Sequence, residues 1–309
     1  MIRKPEKFFK KSQSLKLPAQ RRRTRELHGS GGGRAFEVDD QLWPPREFQT
    51  LSDRALMERA KQIAMIWLND EFGFDAQSID TTDDRRADLR ANDGEFDYTI
   101  EVKDKLDTGN HSSFSELPVG DGRTASIRAD AHKRLNRLDN ILRDGSDQIA
   151  KTPGNEFTFN MIWFNFEGPN ADIMGRRLLY TFYGVADLCP RHSDGDGVNC
   201  VYFDYNAAYN MKNVHGIVIC ENRELQIAIN EFADDIDTFR LTPLVRRFGN
   251  AKYDPGDFES DESKIVLRSS ISRKDGSDVL DEVKRQTGLE YYRIEMNRYT
   301  FGPGRSNGR

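Results

Sequence analysis

Arg85-Arg86-Ala87-Asp88-Leu89, the turn Asn92-Asp93-Gly94 and the run Phe96-Asp97-Tyr98-Thr99-Ile100-Glu101-Val102-Lys103-Asp104-Lys105 form one unit. Asp-Gly tolerates the positive φ that tight hairpins demand, so the three pieces predict strand, turn and strand. The second strand, Phe96 to Lys103, alternates strictly. Phe96, Tyr98, Ile100 and Val102 point one way, and Asp97, Thr99, Glu101 and Lys103 the other. One face goes to a core. The opposite face carries carboxylates and an amine, with Asp88 placed in the first, shorter strand.

Two carboxylates and a lysine on neighbouring strands suit a hard divalent cation. Mg²⁺ takes oxygen ligands, commonly one or two carboxylates completed by water and a substrate phosphate. A bound metal lowers the pKa of its water and neutralises charge on a phosphodiester, and a nearby lysine can orient the water or stabilise developing charge. The period of two lets Glu101 and Lys103 serve one centre.

Asp88 followed by Glu101-x-Lys103 resembles the motif of the PD-(D/E)xK nuclease superfamily, which includes restriction and repair nucleases. Ala87 stands where that family usually has proline. The resemblance implies that Asp88 and Glu101 bind the metal, that the Val102 carbonyl adds a ligand and that Lys103 is catalytic. It covers roughly residues 50 to 166. Glu-x-Lys also occurs at Glu262/Lys264 and Glu282/Lys284. Only Glu101 ends an alternating strand with an aspartate on the strand before it.

The net charge of −5 conceals an asymmetry. Residues 1–25 carry ten Lys or Arg and one acid, a net of +9, and the remaining residues carry −14. The expectation is a basic arm on an acidic body, with His28–Gly33 as linker. The arm is either a grip on nucleic-acid phosphates or a solubilising tail. At 309 residues, 37% hydrophobic and 31% charged, the chain can bury a large core. No run approaches a membrane span, and the basic N-terminus lacks the apolar core of a signal peptide. Three cysteines without paired spacing fit a reducing cytoplasm, the expected location.

Along the chain, 52–72 predicts a helix capped by Ser52 or Asp53. Its apolar stripe is Leu56, Ala60, Ile63, Ala64 and Trp67. By resemblance, a glutamate on this helix joins the metal site. Glu58 is the candidate, although the helical wheel turns it away from the stripe. A polar loop follows Lys105 and includes His111. Residues 125–151 predict a second helix, broken near Gly145, with Arg128, Lys133 and Arg137 on a basic flank as candidate nucleic-acid contacts. Gln148 near its end is an accessory candidate by resemblance. Phe157–Phe166 is too apolar for a one-sided strand and predicts a central one covered on both faces. Helix, hairpin, helix and buried strand is the order expected of this nuclease core.

Further strands are expected at Leu178–Val185, Cys200–Asp204, Val214–Cys220 and Leu225–Ile229, with a helix at Phe239–Phe248. Ile265–Leu267 predicts a strand and Ser277–Gln286 a helix. The organisation is a basic arm and linker over 1–50, a nuclease-like α/β domain over 51–250 and a small C-terminal extension over 251–309. The expected fold is α/β, with a restriction-endonuclease-like core, a mixed central sheet flanked by helices and that extension. Histidine and cysteine spacings give no HExxH and no regular zinc set, and no Gly-x-Ser-x-Gly elbow is present.

The function expected is a cytoplasmic endonuclease dependent on Mg²⁺ or Mn²⁺. It would act on nucleic acid, DNA before RNA, with no membrane partner and with a homodimer left open. Restriction, defence or mobile-element roles come from the superfamily's range. The alternative is an inactive nucleic-acid-binding or interaction module on the same fold.

Overall fold

A computed structural model of the chain describes residues 53–79, 86–106, 125–127, 135–155, 157–168, 170–191, 197–261, 263–294 and 299–301. The basic arm, the loop after the hairpin, Arg128 and Lys133 lie outside these residues. Helix α1 (Asp53–Ile66) runs into a wider π turn at Trp67–Glu71 and then into β1 (Asp75–Ser78). Strands β2 (Leu89–Asn92) and β3 (Asp97–Leu106) form the expected hairpin. Gly94 takes φ +94°, and the Asp93 carboxylate accepts from the Glu95 and Phe96 N–H groups, closing the turn. Strand β4 (Ala125–Ile127), α2 (Asn136–Ala150), β5 (Thr158–Glu167) and α3 (Ala171–Tyr183) follow.

Next come β6 (Ala186–Pro190), β7 (Val198–Val201), β8 (Gly216–Glu221) and β9 (Glu224–Ile229). The chain continues through α4 (Ile236–Arg240), α5 (Pro243–Phe248), β10 (Lys252–Tyr253) and β11 (Lys264–Val266). It closes with α6 (Gly276–Thr287), β12 (Tyr291–Arg293) and β13 (Tyr299–Phe301).

The central sheet has the order β1-β2-β3-β5-β8-β9-β10. Strands β1, β2 and β3 are joined antiparallel, while β3, β5 and β8 are parallel, so the sheet is mixed. The parallel β3–β5 pair requires a crossover, and α2 supplies it. On one face, Ala60, Ile63, Ala64 and Trp67 pack with Leu244 and Phe248 over Ile100, Val102 and Trp163. On the other, Leu138, Leu142, Leu178 and Phe182 cover Ile162, Phe164 and Phe166. That double cover is why β5 is apolar on both sides. The polar face of β3 is buried where α2 lies on it, and Glu101 is 1% exposed there, while Asp97 nearer the turn stays accessible.

Some expectations are corrected. Residues 178–183 are helical. Ala171, Gly175, Leu178 and Phe182 fall at helical spacing on a buried face, and the apolar run is that face seen end to end. The second helix begins at Asn136, while Ala125–Ile127 pairs with Tyr299–Phe301. Gly145 does not break α2. A Cβ there would stand 3.0 Å from Ile162 Cδ1 and 3.5 Å from Glu101 Cγ, so glycine lets the helix sit directly on β5 and Glu101. The helix expected over 239–248 is two short ones. Thr242 caps the second through the Val245 N–H, with Pro243 in its first turn.

The C-terminal residues do not stand apart. Strands β11 and β12 flank β7 and β6 in a second sheet, ordered β11-β7-β6-β12, and α6 packs on it through Val279 and Val283. No helix among the described residues is long and apolar enough to cross a membrane.

Candidate active site

The hairpin register builds the site. Leu89 pairs with Ile100, so one step further places Asp88 opposite Glu101. Asp88 lies just outside β2, where its N–H still reaches the Ile100 carbonyl at 3.1 Å. Its Oδ2 accepts from the Val102 N–H at 2.9 Å, which fixes the carboxylate against β3. Val102 therefore enters the site through its N–H. The C-terminal end of α2 holds the same segment from the other side: Thr152 Oγ1 accepts from the Ala87 N–H at 2.7 Å and donates to the Gln148 carbonyl at 3.0 Å.

Lys103 Nζ donates to Glu101 Oε1 at 2.5 Å and to Gln148 Oε1 at 2.7 Å. The structure thus brings Gln148, named above on the resemblance, to the Lys103 ammonium. Glu101 Oε2 is buried and meets no donor. Burial, then the neighbouring Asp88 charge, push the Glu101 carboxyl up to about 8, and Lys103 opposes the rise.

The acid expected from α1 is not what the helix presents. Glu58 is exposed. One turn on, Lys61 Nζ lies 2.8 Å from Asp88 Oδ1, with side chains 19% and 14% exposed. Burial alone would lower the Lys61 pKa, but the bond and charge of Asp88 outweigh it and raise it. Helix α1 is anchored near this point by a buried ion pair, Arg59 to Glu167 at 2.7 Å. A lone buried charge would be costly, and the pair ties the helix to the end of β5. Beside it, Asn165 donates to Asp104 at 3.1 Å.

Arg137 is exposed in the first turn of α2. It stands about 16 Å along the helix from Gln148, since each residue rises about 1.5 Å. It does not flank the carboxylates.

No family model, curated protein or solved structure gives a significant match to this chain. What the site can do follows from its own chemistry. Its donor set fits a hard divalent cation. Two carboxylates converge, and one oxygen is buried without a donor. No cluster of three His, Cys, Asp or Glu is found among the described residues. Among the described residues a third protein ligand would come from the backbone or from the Gln148 amide oxygen, with water and substrate oxygens completing the shell.

Proposed function

We propose that this protein is a metal-dependent nuclease that hydrolyses phosphodiester bonds, most readily in DNA. The observation that carries this reading is the meeting of Asp88, Glu101 and Lys103 at one point, with Gln148 holding the lysine. The topology supports it. Helix α1, the antiparallel strands β1 to β3, the α2 crossover and parallel β5 follow the order of a restriction-endonuclease-like core. Asp88 and Glu101 would hold Mg²⁺ or Mn²⁺. Such an ion, when bound, acidifies its water and offsets phosphodiester charge. Lys103, clamped between Glu101 and Gln148, is positioned to orient the attacking water or to stabilise charge on the phosphoryl oxygens. Buried Glu101 keeps that charge in a low-dielectric setting, where each interaction counts for more.

A supercoiled plasmid and a single-stranded oligonucleotide, incubated with Mg²⁺, Mn²⁺ or chelator, test the reading. The metals should support cleavage and the chelator should stop it. Asp88→Ala and Lys103→Ala should each lose about a thousandfold or more in rate. Cleavage that persists in both variants would remove the mechanism.

A cleft of about 300 Å³ opens beside the Asp88 segment, lined by Gln77, Ser78, Arg86, Arg90 and Thr152. Arg90 donates to the Pro153 carbonyl at 2.6 Å, which fixes its guanidinium at the cleft wall. Two arginines next to the proposed metal ligand suit backbone phosphates. With Asp88→Asn in the background to prevent cleavage, Arg86→Gln/Arg90→Gln should weaken oligonucleotide binding. The plot of log affinity against log salt should become shallower by about one unit per arginine. Fluorescence anisotropy at graded salt reads both effects, and an unchanged slope would exclude these arginines from the phosphate path.

A further inference from the structure

We propose that Lys61 is a built-in occupant of the cation position: its ammonium neutralises Asp88 until a divalent ion displaces it, and so sets the ion concentration at which the site fills. The inference rests on the nuclease reading above and adds a residue that neither the motif nor the resemblance contains.

The geometry points to exchange rather than to a simple scaffold. Asp88 has two oxygens in use. Oδ2 is committed to the Val102 N–H, a backbone bond that keeps the carboxylate in register with β3. Oδ1 faces Lys61. Across the hairpin, Glu101 gives Oε1 to Lys103 and leaves Oε2 buried without a donor. An ion shared by the two carboxylates therefore meets one ready oxygen on Glu101 and one on Asp88 that an ammonium already holds.

Lys61 is suited to leave. It is a compact charge on a flexible four-carbon stem. It remains 19% exposed, so solvent lies within its reach. The helix that carries it stays in place when the side chain moves, because Arg59, two residues earlier, is tied to Glu167 inside the protein. Charge balance favours the same exchange. With both carboxylates ionised and no metal bound, Lys61 and Lys103 offset Asp88 and Glu101, giving a site with no net charge. A divalent ion adds two positive charges beside two ammonium groups. Of the two, Lys103 is the more firmly held, since it donates to Gln148 as well as to Glu101. Lys61 is the one that can swing away. Once displaced, its charge stands where an incoming phosphate would need a counterion.

The test is Mn²⁺ binding by the full-length, nucleic-acid-free protein, followed by the electron paramagnetic resonance signal of free Mn²⁺. Removing a competing charge should tighten binding, so Lys61→Met is expected to bind Mn²⁺ about tenfold more tightly than wild type. Lys61→Arg, which keeps the charge, should bind no more tightly than wild type. A scaffold lysine would give the opposite result, with weaker binding in Lys61→Met. Equal or weaker affinity in that variant, folded by circular dichroism, overturns the proposal.

A second measurement needs no variant. Acetylation of wild-type lysines by acetic anhydride, mapped by mass spectrometry, should label Lys61 several-fold faster when Mg²⁺ saturates the site. Unchanged labelling of Lys61 would also overturn the exchange. If wild type binds no divalent ion, the nuclease reading and this inference fall together. If wild type binds and Lys61→Met is not tighter, only the inference falls.

Discussion

Glu101→Gln should abolish cleavage and, in the same molecule, stabilise the metal-free fold at alkaline pH. The substitution removes a metal ligand, so the rate should fall by about a thousandfold or more. It also removes the most unfavourably placed charge of the described site. In the unfolded chain Glu101 ionises with a pKa near 4.5, and in the fold near 8. Between those values the folded state holds a proton that the unfolded state has released. Stability therefore falls as pH rises through that window and levels off above it.

A tenfold difference in proton affinity between the two states corresponds to about 1.4 kcal/mol. Gln gives up a charge-assisted bond to Lys103, worth about 1.5 to 3 kcal/mol. The net gain at pH 8.5 should be on the order of 2 kcal/mol, shrinking to nothing or reversing near pH 5. Urea unfolding at pH 5, 7 and 8.5, with chelator present, reads it. A wild type and a Glu101→Gln variant with parallel pH profiles would mean that the Glu101 carboxyl is not strained by its surroundings.

Gly184→Ala should be among the most destabilising single-methyl additions in the protein. Gly184 ends α3 in the left-handed region at φ +59°. A Cβ there would lie 2.3 Å from the Asp204 carbonyl oxygen and 2.9 Å from its carbon. Neither atom can step aside easily. The Asp204 N–H is bonded to the Gly184 carbonyl at 2.9 Å, and the Asp204 carboxylate is gripped by Arg293 at 2.6 and 3.0 Å. Left-handed strain of about 1 kcal/mol adds to an overpacking cost of about 1 to 3 kcal/mol, so a loss of about 3 kcal/mol or outright misfolding is expected. Gly288 provides the comparison. It has φ +76°, but a Cβ there would meet nothing within 4 Å. Gly288→Ala should cost only the strain, about 1 kcal/mol. Equal losses for the two variants in urea unfolding would show that the contact with Asp204 relaxes freely.

The parts of the fold legible in the sequence were those written in local chemistry. Asn92-Asp93-Gly94 has one easy conformation, and it fixes a register that sets Asp88 across from Glu101. The ten apolar-rich residues from Phe157 to Phe166 had to lie between two layers, and they do, with bounds shifted by one residue to Thr158–Glu167. What the sequence concealed was tertiary. The charged side chains at Glu101 and Lys103 look like a wet face until α2 is seen to cover them, and the missing side chain at residue 145 lets α2 sit close against Ile162 and Glu101.

Leu178–Phe182 fits a strand as well as a helix when its neighbours are unknown. Its packing on β5 and β8 settles the matter. Lys61 is one of many lysines in the chain, and nothing local separates it from a solvated one. Only the docking of α1 beside the hairpin brings it to Asp88. Glu58 had the residue type that a family pattern asks for, but the helix turns it outward.

The central claim is that Asp88 and Glu101 share one divalent ion. Crystals soaked in Mn²⁺ and measured near the manganese absorption edge would address it directly. The expected anomalous map has a peak between the two carboxylates, present in wild type and absent in Asp88→Asn and Glu101→Gln. A map with no peak there in wild type, or with a peak that both variants retain, would contradict the claim.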